Sequence, residues 1–196
     1  MMLSILIPNK SEIGIEDFVK EVEELGIANE IIISNDTGCR GKGWAIREAF
    51  RASKGDLVAF IDGDGDIKPR MFKRLLPFLE DFDVVVGSKR ITHSPLRRKV
   101  MTRLTRIWFK ILFGVKVDTQ TGIKLFKRSA LDKLSKYSWE ANGFIFDVEI
   151  LSTLQSNGCR MVEVPIEAEI RRQLKIKTIV KIFMESLWLK SRLLSR

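Results

Sequence analysis

The chain of 196 residues predicts an α/β fold: a single Rossmann-like domain with a mostly parallel central sheet flanked by helices, plus a C-terminal basic amphipathic helix. Three observations carry this expectation. Short runs of Ile, Val and Leu recur between Ser4 and Pro165, and such runs suit strands buried on both faces better than helices. Segments with apolar residues at helical spacing alternate with them, which builds a parallel sheet with right-handed crossovers. Asn, Asp and Gly follow the strands, as at the rim of an open sheet, where such folds bind ligands.

Taken in order, Ser4 to Pro8 reads as the first strand, followed by polar Asn9 to Glu12. The next helix keeps Phe18, Val19, Val22 and Leu25 on one side and ends at Gly26. Glu30 to Ser34 is the second strand, broken by Asn35-Asp36-Thr37-Gly38, and Gly41-Lys42-Gly43 opens a helix to about Ser53. Leu57 to Ile61 is the third strand. Pro69 sits in the first turn of the following helix, where its missing N–H costs nothing. Asp83 to Gly87 is a fourth strand, and residues 96–113 form a long cationic amphipathic helix. Gly122 to Phe126 is a strand followed by a short helix to about Lys136. Phe146 to Gln155 is a helix stopped by Asn157-Gly158, and Arg160 to Pro165 is the last strand. Residues 1–172 therefore read as the domain, and residues 173–196 as a terminal helix with Ile176, Ile179, Val180, Phe183, Leu187 and Leu194 at helical spacing.

Composition narrows the function. A chain that is 45% hydrophobic and 30% charged is not disordered. Cys39 and Cys159 are too few for a disulfide framework, and the lone His93 supports neither a His-rich zinc site nor a Ser-His-Asp triad. The start of the sequence lacks a cationic leader region, and no apolar run of about 18 residues occurs; the expected location is cytoplasmic, peripheral to the inner face of the membrane. The net charge of +9 is localised: residues 89–110 carry +8, residues 171–196 carry +7, and the rest carries −6. Two such patches read anions at a surface. The helix over 176–196 places Phe183 and Trp188 beside Lys and Arg, a pattern that lies in an anionic headgroup layer, although packing on the sheet or on a partner chain suits it too.

Asp62, Asp64 and Asp66, separated by glycines, crowd the end of the third strand. Their repulsion calls for a hard divalent cation, Mg²⁺ or Mn²⁺, as the ligand of a metal site. An EF-hand is excluded because Ile67 and Lys73 stand where its Gly and Glu belong. Gly41-Lys42-Gly43 at a helix start suits an anion, and it is not a Walker loop, since Asp36 replaces the first glycine and Gly43 the Ser or Thr.

In their order, several segments are similar to those of a known family: Ile5-Leu6-Ile7-Pro8 with Glu12, Glu30 to Ile33 with Asn35-Asp36, Gly41-Lys42-Gly43, Gly55 to Val58 and Asp62-Gly63-Asp64. Asp83 to Arg90, Asp118 to Gly122 with Lys124-Leu125-Phe126, Gly143 to Glu149 and Val162 to Pro165 continue the series. Over residues 3–170 the chain resembles the GT-A fold, family 2 glycosyltransferases of the dolichyl-phosphate mannose/glucose synthase type. The resemblance implies an inverting, metal-dependent transfer of a sugar from a UDP- or GDP-linked donor to a polyprenyl phosphate. Pro8, Glu12, Asp36, Lys42, Asp62, Gly63 and Asp64 would then hold the donor, with the ion on Asp62 and Asp64. Arg90, Arg103 and Lys124 would meet the acceptor phosphate, and Asp147 would lie at the reacting centre with Asp64, Arg90 and Arg103.

Three departures from the family pattern stand out. The loop from Asp36 to Gly41 is shortened, Lys10 replaces a common aromatic residue, and Asp66 replaces a neutral residue and is expected to add a third metal ligand. A soluble or protein-bound acceptor is the alternative within enzymes. Nucleic-acid binding is disfavoured as a partner class, because the rim carboxylates repel a phosphate backbone and no aromatic ladder interleaves the arginines. Homo-oligomerisation is left open.

Overall fold

The computed structural model describes residues 1–10, 14–89, 96–136, 139, 141–143, 145–169 and 176–194. In chain order the elements are β1 (Leu3–Asn9), α1 (Ile15–Glu23), β2 (Glu30–Asn35), α2 (Lys42–Ala52), β3 (Leu57–Ile61), α3 (Phe72–Leu75), β4 (Val84–Lys89) and α4 (Leu96–Phe113). They continue with β5 (Ile123–Lys127), α5 (Arg128–Asp132), α6 (Phe146–Ser156), β6 (Met161–Ile166) and α7 (Ile176–Leu194). Single 3₁₀ turns extend α3 on both sides, the first opened by Pro69. The strands form one sheet in the order β2-β1-β3-β5-β4-β6.

Period-two alternation along each strand divides the core into two layers. Ile5, Ile7, Ala59, Ile61, Val85 and Leu125 pack on one side with Phe18 and Val22 of α1 and Phe72 and Leu75 of α3. Leu6, Val58, Phe60, Val86 and Phe126 pack on the other, under Ile46 and Ala49 of α2, Phe109 of α4 and Leu151 and Leu154 of α6. Each such Val, Leu, Ile or Phe side chain contributes about 1.5–3 kcal/mol when fully buried, so these two layers rather than helix propensity hold the elements in place.

All pairings are parallel except those of β5, which runs against both neighbours, Ile61 facing Ile123 and Val86 facing Lys124. The reversal has a simple origin. The connection that leaves β4 returns to the same rim of the sheet, so the next strand has to run back. As a result the loop entering β5 lies at the carboxyl end of β3, where the Asp62 N–H donates to the Gly122 carbonyl at 2.8 Å.

Helix α7 is two-sided. Ile182, Ser186 and Leu189 are buried, with Ile182 and Leu189 joining the layer under α2 and α6. The Trp108 ring of α4 stacks on Phe183 at 3.8 Å, and its Nε1 donates to Ser186 Oγ at 3.0 Å. Outward, Leu104, Ile107 and Ile111 of α4 and Val180, Met184, Leu187 and Trp188 of α7 are exposed. Among the described residues, no helix is long and apolar enough to cross a membrane.

Candidate active site

The site is assembled where the parallel strands β1, β2 and β3 end side by side. Asn9 lies opposite Asn35 in register, and its Nδ2 donates to Asn35 Oδ1 at 2.8 Å. Pro8, one residue earlier, is half-buried. Asp36 is buried and turned onto its own loop: Oδ1 accepts the Arg40 N–H at 2.7 Å and Oδ2 the Gly41 N–H at 2.6 Å. The shortened loop thus closes around Asp36, with Cys39 at a positive φ of 50° and the Arg40 guanidinium 3.2 Å above the Trp44 ring.

The glycines around Lys42 serve the protein before any ligand. A Cβ on Gly41 or Gly43 would fall on the carbonyl oxygens of Asn142 and Ala141, and Gly43 N–H donates to Asn142 O at 2.9 Å. The Arg47 guanidinium holds the same loop through Ala141 O at 2.9 Å and Asn142 Oδ1. The close approach that these glycines permit is taken up by the loop that leads into α6.

Between these elements runs a chain of four charges. Lys42, the first residue of α2, places Nζ 2.8 Å from Asp62 Oδ1 and 3.4 Å from Asp147 Oδ2. Lys124 of β5 places Nζ 2.9 Å from Asp147 Oδ1 and also donates to the Thr119 and Thr121 carbonyls. Burial penalises the charged forms of all three inner groups. For Asp147 the Lys124 and Lys42 ammonium groups outweigh it and hold the carboxyl below its ordinary range. Burial pushes the Lys124 amine down, whereas Asp147 and Asp62 together carry Lys42 above its ordinary value in spite of burial. Such a chain is retained only when every member is paired, because a lone buried charge is costly.

Lys124 is the residue whose surroundings sequence reasoning missed. It was expected at an acceptor phosphate, yet its side chain is 1% exposed and points into the layer of Phe60 and Phe126, 5.1 Å from the Phe60 ring centre. The available signal was its position, since in Ile123-Lys124-Leu125-Phe126 the alternation puts the lysine on a core face. Gly122 was likewise quoted only as part of a motif; a Cβ there would fall on Asp62 Oδ2. Asp118 fixes that entry loop by accepting the Gln120 N–H at 2.8 Å and the Thr121 hydroxyl at 2.9 Å.

The three rim carboxylates differ in exposure. Asp62 and Asp64 are partly exposed, whereas Asp66 is buried, with its N–H on Asp64 Oδ1 at 3.1 Å and its carbonyl accepting the Glu169 N–H at 2.8 Å. Among the described residues no group of three His, Cys, Asp or Glu side chains is already arranged to share an ion, and Asp66, the expected third ligand, is the buried member of the three. Asp62 and Asp64 still fit Mg²⁺ or Mn²⁺ in kind: hard oxygens, in the number such ions take from protein when phosphates complete the shell. That Asp62 already carries an ammonium at 2.8 Å shows that the position favours a cation. Gly63 is buried against Ile15. Arg103 is exposed on α4, while Glu12 and Arg90 lie outside the described residues.

Fold and rim together define an open α/β domain with its polar groups gathered beyond the carboxyl ends of the strands, where such sheets bind ligands. Residues 4–196 match the glycosyltransferase like family 2, and the chain belongs to that family. It is 26% identical over 133 residues to the polyprenol monophosphomannose synthase of Mycolicibacterium smegmatis, covering 64% of this chain and 48% of that one. It is 31% identical over 147 residues to the dolichyl-phosphate β-glucosyltransferase of Saccharomyces cerevisiae, covering 65% and 44%. The chain thus spans about half the length of these curated relatives. The glucosyl-3-phosphoglycerate synthase of Mycobacterium tuberculosis, solved with Mn²⁺ and UDP-glucose, superposes with a TM-score of 0.76 at 18% identity, over 96% of this chain and 78% of that one. That likeness establishes the GT-A fold.

Proposed function

We propose that the chain transfers a sugar, with inversion, from a UDP- or GDP-linked donor to a polyprenyl phosphate at an anionic membrane surface. The observation that carries this reading is the outward face of α4 and α7. Leu104, Ile107 and Ile111 of α4 and Val180, Met184, Leu187 and Trp188 of α7 are exposed on helices joined by the Trp108–Phe183 stack, and the same helices carry Arg103, Lys110, Lys181, Lys190 and Arg192. An apolar strip rimmed by cations suits the boundary between headgroups and acyl chains, each basic residue adding about 1 kcal/mol near an anionic leaflet. The strip is not remote from the rim: the Glu185 carboxylate of α7 lies against Gly143, in the loop that leads to Asp147.

The chemistry follows from the residues. A phosphate monoester has a second pKa of about 6 and is a ready anionic nucleophile at neutral pH, so no general base is required. Asp147, its two oxygens facing Lys124 and Lys42, suits an electrostatic role better than proton abstraction. Asp62 and Asp64 would hold the divalent ion, which when bound offsets charge on the leaving diphosphate. Arg103, with Arg90, would bind the acceptor phosphate by charge-assisted hydrogen bonds.

A melting-temperature screen of UDP- and GDP-sugars with and without Mn²⁺ tests the donor side, since a ligand of the native state raises stability by RT ln(1 + [L]/Kd). A Mn²⁺-dependent rise with one of them is expected; no rise with any would remove the reading. For the acceptor side, Met184→Glu with Leu187→Glu changes exposed positions only. The pair is expected to cut co-sedimentation with anionic liposomes at least fivefold without lowering the melting temperature. Undiminished partitioning would count against membrane docking.

A further inference from the structure

We propose that Lys42 competes with the divalent ion for Asp62, so that metal uptake is coupled to arrival of the donor's diphosphate. The inference deepens the donor reading above and rests on it. Lys42 Nζ lies 2.8 Å from Asp62 Oδ1, the same oxygen set that would hold the ion. With Asp147 and Lys124 the pair closes a neutral group of two ammonium and two carboxylate side chains. A dication shared by Asp62 and Asp64 leaves three cationic centres around three carboxylates, one positive charge in excess. Lys42 and Asp62 are only 24% and 32% exposed, so water screens that repulsion weakly. A diphosphate brings the missing negative charge.

Lys42 also has somewhere to go. Asp147 Oδ2 stands 3.4 Å away on its other side, and the Phe60 ring lies beneath the ammonium at 5.1 Å. Lys124 is no such substitute, because the Thr119 and Thr121 carbonyls fix it on Asp147 Oδ1. The backbone beside Lys42 is anchored by the Gly43 N–H on Asn142 O, so the exchange needs a side-chain rotation and no movement of α2. Lys42 is in this sense a positioning residue: it keeps Asp62 oriented and neutralised, then yields it as the charged donor enters.

The test is a Mn²⁺ titration followed by electron paramagnetic resonance, with and without UDP or GDP, on the wild type, Lys42→Met, Lys42→Gln and Lys42→Arg. Wild type is expected to take up Mn²⁺ at least tenfold more tightly with nucleotide than without. Lys42→Met and Lys42→Gln are expected to bind Mn²⁺ alone at least tenfold more tightly than wild type, shrinking the nucleotide effect, and Lys42→Arg to retain wild-type behaviour. A structural role alone would not tighten metal binding. Neutral variants that bind Mn²⁺ no better than wild type, or an arginine variant that behaves like them, would overturn the competition while Mn²⁺-dependent nucleotide binding keeps the donor reading intact. Failure of wild type to bind either nucleotide with Mn²⁺ would overturn the donor reading, and this role of Lys42 with it.

Discussion

Asp64→Asn is expected to lower sugar transfer by at least about a thousandfold while leaving the unfolding transition in place. Asp64 is partly exposed at the rim, and its Oδ1 accepts the Asp66 N–H, as an amide oxygen still would. The fold should therefore survive. The chemistry should not, because the ion's Lewis-acid contribution is several kcal/mol and each ~1.4 kcal/mol is tenfold in rate. Asp62→Asn is expected to be as severe but less clean, since it also takes the partner from Lys42. Transfer of labelled sugar to a polyprenyl phosphate in detergent, run beside urea unfolding of each variant, decides the matter; turnover within tenfold of wild type would remove both residues from the reaction.

The second large effect is on stability. Asp147→Leu strands Lys124 among Phe60 and Phe126 with only two backbone carbonyls, and breaking a buried pair from one side costs about 3–5 kcal/mol. The double variant with Lys124→Met removes both charges and is expected to regain most of the loss, since apolar replacements of a buried pair are often neutral. Urea midpoints of the single and double variants measure this directly; a single variant within about 1 kcal/mol of wild type would mean the pair is not buried in solution. The pH dependence has a definite sign. Asp147 titrates below its ordinary value near 3.9, so its contribution is complete at neutral pH and is lost as pH falls beneath that value through the folded pKa.

The strands were legible because each is an apolar run bounded by turn residues, and β1, β3 and the cationic helix over Leu96–Phe113 fall where composition put them. The direction of β5 was not, because a run of Ile, Leu and Phe carries no record of which rim its connection returns to. Three rim carboxylates at alternate positions look equivalent in sequence; only the folded turn makes Asp66 the buried one, with its N–H on Asp64. The surroundings of Lys124 were hidden for a related reason. A lysine in a motif suggests a ligand, and its neutralising partner, Asp147, lies 23 positions away in the chain, a pairing that only the packing of α6 on the sheet creates. The glycines flanking Lys42 carried a true signal of close approach without saying what approaches.

The double-faced packing of α7 has one more effect. Because Ser186 and Leu189 are locked inside while Leu187 and Trp188 face out, the helix cannot act as a flexible tether, and cutting it away would open the core along with the outer strip. Seated on any flat surface, this helix would therefore fix the tilt of the rim as a keel does, the attitude being set by the interior side chains that pin it.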